Sequence, residues 1–194
     1  HGRDRGYWDV GAGPVLLLIP GTLGRGDVFW QQIEALSDRL RIIAVSYPDS
    51  GGIADWSADL HNLLTQLGVD QLSLLGSSLG GYLAQYFASQ YPKQVTKLFA
   101  ANTLNTVIGR DQQPPYSMDL ANIDIAKIRT GFKAGLGGWA EAHPDQADLV
   151  ELLLGEANGR ILEGELRARL SALKFGPELP KNNNDAVTIE GKDD

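Results

Sequence analysis

The stretch Leu72-Ser-Leu-Leu-Gly-Ser-Ser-Leu-Gly-Gly-Tyr-Leu-Ala-Gln-Tyr-Phe-Ala88 decides how this chain folds. It opens as an apolar run that predicts a strand over Gln71 to Leu75. It then passes through Gly76-Ser77-Ser78-Leu79-Gly80 and continues as a helix predicted over Leu79 to Tyr91, ended by Pro92. A Gly-x-Ser-x-Gly pattern is weak alone in a chain with 23 glycines, so the strand before it and the helix after it carry the reading. Such a sharp turn lifts the central hydroxyl, that of Ser78, above the carboxyl edge of a sheet. Glycines two before and two after it relieve backbone crowding. Gly81 extends the small-residue stretch and lets the helix approach neighbouring strands. A Gly/Ser-rich turn can instead bind phosphate at a helix N-terminus. Here there is no Gly-x-Gly-x-x-Gly, no acidic residue closes the next strand, and no Lys follows the glycines as a P-loop requires. Ser77 is offset from the two glycines in a way that fits packing, which leaves Ser78 as the predicted nucleophile.

Working outward, Val15 to Ile19 is a run of large aliphatics between Gly13-Pro14 and Pro20-Gly21. With no alternation it reads as a strand buried on both faces, as in a parallel sheet. Asp27 is a candidate N-cap for a helix from Val28 to Leu36, with Phe29, Ile33 and Leu36 on one face. Arg41 to Val45 is a further strand, stopped by Tyr47-Pro48. Asp55 to Leu67 is an amphipathic helix with Gly68 at its end, and Val95 to Ala101 is a strand. Three strand–helix alternations with short connections predict an α/β fold with a parallel sheet. From about Leu104 to Leu179 the alternation breaks into helical stretches, Asp124 to Lys133, Asp145 to Leu154 and Leu162 to Leu173. A strand resumes at Ala186 to Glu190. The expected organisation is a core of residues 1–104 and 180–194 interrupted by a helical cap insertion of residues 105–179.

A serine presented in this way needs donors for the oxyanion it creates. The loop after the first strand lends one backbone N–H and the residue after the serine lends the other, which assigns Thr22 and Leu79. It also needs a base and an orienting carboxylate, in chain order Ser, Asp/Glu, His. The strand after the elbow helix ends in Asn102-Thr103, with no carboxylate, so the acid is placed after the next strand. Asp194 is the choice and Asp193 its substitute. The base would lie one more strand and helix on, past residue 194, so the chain ending there is expected to turn over esters poorly. Of the histidines present, His61 reads as a surface residue, His143 could line the pocket and is the alternative base within the chain, and His1 is terminal and uninformative.

Net charge is −7 and no Lys/Arg cluster interrupts it, which argues against nucleic acid or an anionic membrane surface as the main partner. Zero cysteines exclude disulfides, thiolate metal sites and a Cys nucleophile. No apolar run approaches the roughly 18 residues of a membrane span. The start His-Gly-Arg-Asp-Arg lacks the layout of a secretory signal. These features lead to the expectation of a soluble, cytoplasmic protein, represented here by a chain truncated at both ends. No metal and no organic cofactor is expected, because no ligand cluster is apparent and serine-based acyl transfer needs none.

Pro20-Gly-Thr22, Asp27-Val-Phe-Trp-Gln-Gln-Ile33, Val45-Ser-Tyr-Pro48 and Leu75 to Ala88 together resemble the α/β-hydrolase superfamily, most closely its maspardin-like branch. The resemblance covers about Gly13 to Asn102, with Val187 to Asp194 matching the strand that leads to the acid. It implies a pocket roofed by a helical cap, with Ser78 as nucleophile. Pro20 stands where many members carry His before the glycine, and the chain ends before the family's catalytic His. Two functions are compatible with this reading. One is a serine hydrolase that opens a small-molecule ester, thioester or amide through an acyl-enzyme on Ser78, with Phe132, Trp139 and Met118 of the cap shaping selectivity. The other is a non-catalytic module using the same pocket or surface to hold a ligand or a protein partner.

Overall fold

The computed structural model describes residues 6–180 and the strand 186–189. Six strands form one sheet in the order β1-β3-β2-β4-β5-β6. They are β1 (Tyr7–Val10), β2 (Val15–Ile19), β3 (Arg41–Val45), β4 (Leu72–Ser77), β5 (Val95–Ala101) and β6 (Ala186–Ile189). All pairs are parallel except β1 with β3, where Tyr7 faces Val45 and Val10 faces Ile42. The central strands are buried on both faces, which is why their sequences do not alternate. Leu16, Leu18, Ile42 and Ala44 pack under Phe29, Val28, Ile33 and Leu36, around helix α1 (Trp30–Leu36). Leu17, Ile19, Ile43, Val45 and Leu74 face the opposite way, onto α2 (Ile53–Gln66) and α3 (Leu79–Gln90).

The strands and helices expected from residue 15 to 101 are present within a few residues, and the departures have local causes. Strand β1 is an addition: its four residues, with Trp8 and Asp9 exposed, are too few to set a periodicity, and pairing with β3 makes them a strand. The stretch begun by Asp27 is a 3-10 turn over Gly26–Phe29 that runs into α1, and its N-cap residue is Arg25 rather than Asp27. Helix α2 starts two residues before Asp55, because the Asp55 carboxylate reaches back to accept the Gly52 N–H at 3.0 Å. This contact satisfies one of the donors that a helix start leaves unpaired and places negative charge at the positive end of the helix dipole. Asp55→Ala is expected to lower stability by about 1 kcal/mol, read as a reduced urea midpoint with an unchanged slope.

Between β5 and β6 lie α4 (Ile125–Ala142), α5 (Ala147–Gly155) and α6 (Glu163–Lys174). Helix α4 runs nine residues past Lys133, through Gly135, Gly137 and Gly138, whose low helix propensity had marked an end. Arginines hold this segment together through backbone carbonyls. Arg129 donates to the oxygens of Glu156, Ala157 and Ile161, while Arg167 donates to those of Leu120 and Ile123. Its apolar residues Ile161, Leu166, Leu170 and Leu173 join the same buried cluster as Leu17 and Phe87. Helix α6 packs on α3, and Tyr82 of α3 donates its hydroxyl to the Pro177 oxygen at 2.6 Å. Burial raises the Tyr82 pKa to about 12.

Candidate active site

Ser78 stands between the last residue of β4 and the first of α3, with φ 53° and ψ −117°. That is a conformation L-residues adopt only under constraint. The constraints are visible. The Ser78 N–H donates to the Ala101 oxygen at 2.9 Å. Its own carbonyl accepts from Tyr82 N–H at 3.1 Å and from the Thr103 hydroxyl at 2.6 Å. The two flanking glycines are required by close approach. A Cβ on Gly76 would lie 2.1 Å from the Gly80 oxygen, and one on Gly80 would lie 2.3 Å from the Ile19 oxygen and 2.4 Å from that of Pro20. The turn is thus locked against both β5 and the end of β2, yet Ser78 itself is exposed. Leu79, the first residue of α3, has a backbone N–H with no acceptor inside its own helix.

The loop leaving β2 lies directly against this turn. A Cβ on Gly21 would sit 3.4 Å from the Cβ of Ser78, within ordinary van der Waals contact, so the loop lies beside the serine. Gly24 N–H donates to the Gly21 oxygen at 2.9 Å, closing a tight turn. The Gly21 carbonyl and the Thr22 N–H belong to one trans peptide plane and point in opposite directions. Pinning the carbonyl inward therefore turns the Thr22 N–H outward. Three further bonds fix the same loop. Tyr47, buried at the end of β3, donates its hydroxyl to the Pro20 oxygen at 2.6 Å. Arg169 of α6, fully buried, donates one Nη1 to the Thr22 oxygen at 2.8 Å and to the Gly24 oxygen at 2.9 Å. The Arg169 guanidinium also lies 5.0 Å from the centre of the Tyr47 ring. Burial lowers the Arg169 pKa, opposed by Tyr47 and Glu165, and burial raises that of the Tyr47 hydroxyl.

The adjoining Arg25 completes the attachment. Its Nε meets Glu156 at 3.2 Å and its Nη2 meets Glu165 at 2.8 Å, with both carboxylates buried. Glu165 also accepts the Leu162 N–H at 2.8 Å, so one carboxylate caps α6 and pairs with the loop at once. Sequence reasoning passed over Tyr47, Thr103, Arg169, Arg25, Glu156 and Glu165. One signal was available: Arg169 falls on the buried stripe of α6 with Leu166, Leu170 and Leu173, at the spacing of a core residue.

The remaining predicted residues fall elsewhere. Asp193 and Asp194 lie outside the described residues. His61 is a correction, being half-buried rather than a surface residue. It stacks on Tyr91 at 4.1 Å between centroids, and its Nδ1 meets the Gln94 side chain at 3.0 Å. Gln94 and its acceptor Val69 precede β5 and β4, so His61 sits at the amino edge of the sheet. The six-residue β4 puts this edge roughly 20 Å from Ser78. His143 is exposed and stacks on Trp139 at 4.7 Å. Phe132 is half-buried against the core, while Met118 and Trp139 are exposed. One cavity of about 210 Å³ lies between β3, α2 and α3, lined by Ile19, Tyr47, Trp56 and Leu83 among others. Another, of about 500 Å³, surrounds His61 and Tyr91. Ser78 lines neither. Among the described residues no group of three or more His, Asp or Glu is arranged to hold a metal ion, and no helix is long and apolar enough to cross a membrane.

A strand-to-helix serine turn at the carboxyl edge of a mostly parallel sheet is one part of the comparison, and sequence supplies the other. The model of the alpha/beta hydrolase fold family matches residues 14–162. The chain belongs to the α/β-hydrolase fold family. An uncharacterized protein of Mycobacterium tuberculosis is 32% identical over 108 residues, covering 50% of this chain and 31% of that protein. Maspardin of Rattus norvegicus is 42% identical over 74 residues, covering 38% and 28%. The chain thus spans about a third of the length of these curated relatives. Among solved α/β-hydrolase folds, a probable hydrolytic enzyme from Pseudomonas aeruginosa superposes with a TM-score of 0.74 at 21% identity, covering 95% of this chain and 67% of that one. An esterase from Exiguobacterium antarcticum superposes with a TM-score of 0.69 at 21% identity, covering 94% and 75%. At these identities the likeness is one of fold.

Proposed function

We propose that the protein is a serine hydrolase that opens an ester, thioester or amide of a small-molecule acyl substrate through an acyl-enzyme on Ser78. The observation that carries this reading is the exposed Ser78 held at φ 53° with Gly21 of the β2 loop against it. A turn strained in this way has no packing purpose that a relaxed glycine would not serve better. The Ser78 Oγ attacks the acyl carbon and forms a new C–O bond, and its proton passes through a base to the departing alcohol, thiol or amine. The Thr22 and Leu79 N–H groups receive the negative charge that develops on the carbonyl oxygen. Water then hydrolyses the acyl-enzyme to a carboxylic acid and restores the Ser78 hydroxyl. In this proposal the orienting acid is Asp194, with Asp193 as substitute, and the base comes from outside the described residues, since His61 lies at the opposite edge of the sheet and His143 is stacked on Trp139 with its Nδ1 against the Trp139 oxygen. Helices α4 to α6 act as the cap over the substrate.

The test is covalent. The full-length protein is treated with a fluorophosphonate and the labelled peptide is mapped by mass spectrometry. The label is expected on Ser78. Labelling of Ser77 or another residue would overturn the assignment, and no labelling at all would favour the reading as a non-catalytic binding module.

A further inference from the structure

We propose that Arg169 of α6, together with Tyr47, is a positioning residue that holds the Thr22 N–H in the geometry needed to receive the oxyanion. This rests on the proposed Ser78 mechanism and adds to it a part supplied by the helical insertion. Of the five carbonyls in the loop from Pro20 to Gly24, four are tied. Pro20 is held by the Tyr47 hydroxyl, Gly21 by the Gly24 N–H, and Thr22 and Gly24 by the one Nη1 of Arg169. A carbonyl that is held fixes the N–H of the following residue, because the two share one plane. The Thr22 N–H is thereby fixed directly by the Gly21 carbonyl. Its neighbours on both sides are fixed by Tyr47, two residues past β3, and by Arg169 of α6. Only the Gly21 tie belongs to the loop itself. The rest comes from residues 27 and about 147 positions away in the chain.

The chemistry of Arg169 suits holding better than reaction. It is fully buried, its guanidinium lies against the Tyr47 ring, and its Nη1 donors are already committed to two carbonyls. The second link, Arg25 to Glu156 and Glu165, anchors the far end of the same loop to the same helical segment. Oxyanion stabilisation depends on donors being in place before charge develops, since a donor that must first swing inward loses much of its benefit to reorganisation. A clamp on the loop therefore acts on the transition state and leaves the ground-state complex nearly untouched.

The experiment compares full-length wild type with Arg169→Met, Arg169→Lys and Tyr47→Phe. An activated aryl ester reports turnover, a fluorophosphonate reports acylation, and an arylboronic acid mimics the tetrahedral intermediate. Removing an oxyanion donor outright costs on the order of 10²- to 10³-fold in kcat, and a displaced donor should cost less. The expected loss is about 10- to 100-fold in kcat for Arg169→Met, with KM changed less than about threefold. Boronate affinity should weaken by the same factor as kcat. Arg169→Lys keeps the charge but loses the planar fork, and should recover part of the rate. Tyr47→Phe keeps the ring and removes one bond, and should lose about three- to tenfold. If Arg169→Met fails to fold, the other two variants decide. Wild type labelled on Ser78, with acylation and boronate binding unchanged in the folded variants, overturns the clamp and leaves the nucleophile standing. Wild type unlabelled on Ser78 overturns the nucleophile and the clamp with it.

Discussion

Ser78→Ala is expected to abolish fluorophosphonate labelling and to remove essentially all ester turnover by the full-length protein, with stability changed by less than about 1 kcal/mol. Removing a serine nucleophile alone costs on the order of 10⁶ in kcat in a well-studied protease, because the triad acts as one unit. The small cost in stability follows from position. Ser78 is exposed, and the bonds that hold the turn run from its backbone to Ala101, Tyr82 and Thr103, all of which alanine retains. Paired measurements on one preparation make the expectation strict: a urea midpoint close to wild type together with lost labelling. Turnover that survives the substitution would place the nucleophile elsewhere. A folded fraction that collapses would mean that the hydroxyl serves the structure.

Gly80→Ala is expected to destabilise by about 3 kcal/mol or more, whereas Gly135→Ala is expected to stabilise by roughly 0.5 to 1 kcal/mol. Both glycines are in helices, where alanine is intrinsically the better residue. At Gly135 nothing lies within 4 Å of the added methyl group, so propensity decides. At Gly80 the methyl group would stand 2.3 Å from the Ile19 oxygen and 2.4 Å from the Pro20 oxygen. These are backbone atoms at the end of β2 and cannot rotate aside. Helix α3 would have to retreat from the sheet, carrying Ser78 with it. Urea denaturation of the two variants checks the opposite signs. Equal shifts for both would show that the close packing of α3 on β2 is not what makes the glycine necessary.

Much of the architecture was legible along the chain because it rests on local chemistry. The aliphatic runs of β2 and β3, the stripe of α2 and the abrupt change from Leu75 through Gly76 to Leu79 each announce their own conformation, and their order implies a parallel sheet. The serine turn belongs to the same class: its meaning lies within the seventeen consecutive residues Leu72 to Ala88, strand, Gly-x-Ser-x-Gly and helix. Strand β1 was not legible, because Trp8 and Asp9 become a strand only by pairing with Ala44 and Ile43. The end of α4 was not legible at its glycines: they are exposed, and the helix continues through Leu136, which packs on the core, despite their low propensity.

What the sequence by itself determined is therefore the α/β order and the identity of the exposed serine, since both depend on residues adjacent in the chain. Only the tertiary structure decided what surrounds that serine. It brought Gly21 against Ser78, took His61 to the far edge of the sheet, and set Arg169 under the Thr22 and Gly24 carbonyls. On its own helix Arg169 is one cation among several. It acquires a role because folding carries it across nearly 150 positions to carbonyls of a partly buried loop, where leaving them without a donor would be costly. A constraint of that kind is a property of two distant segments together, and neither one spells it out.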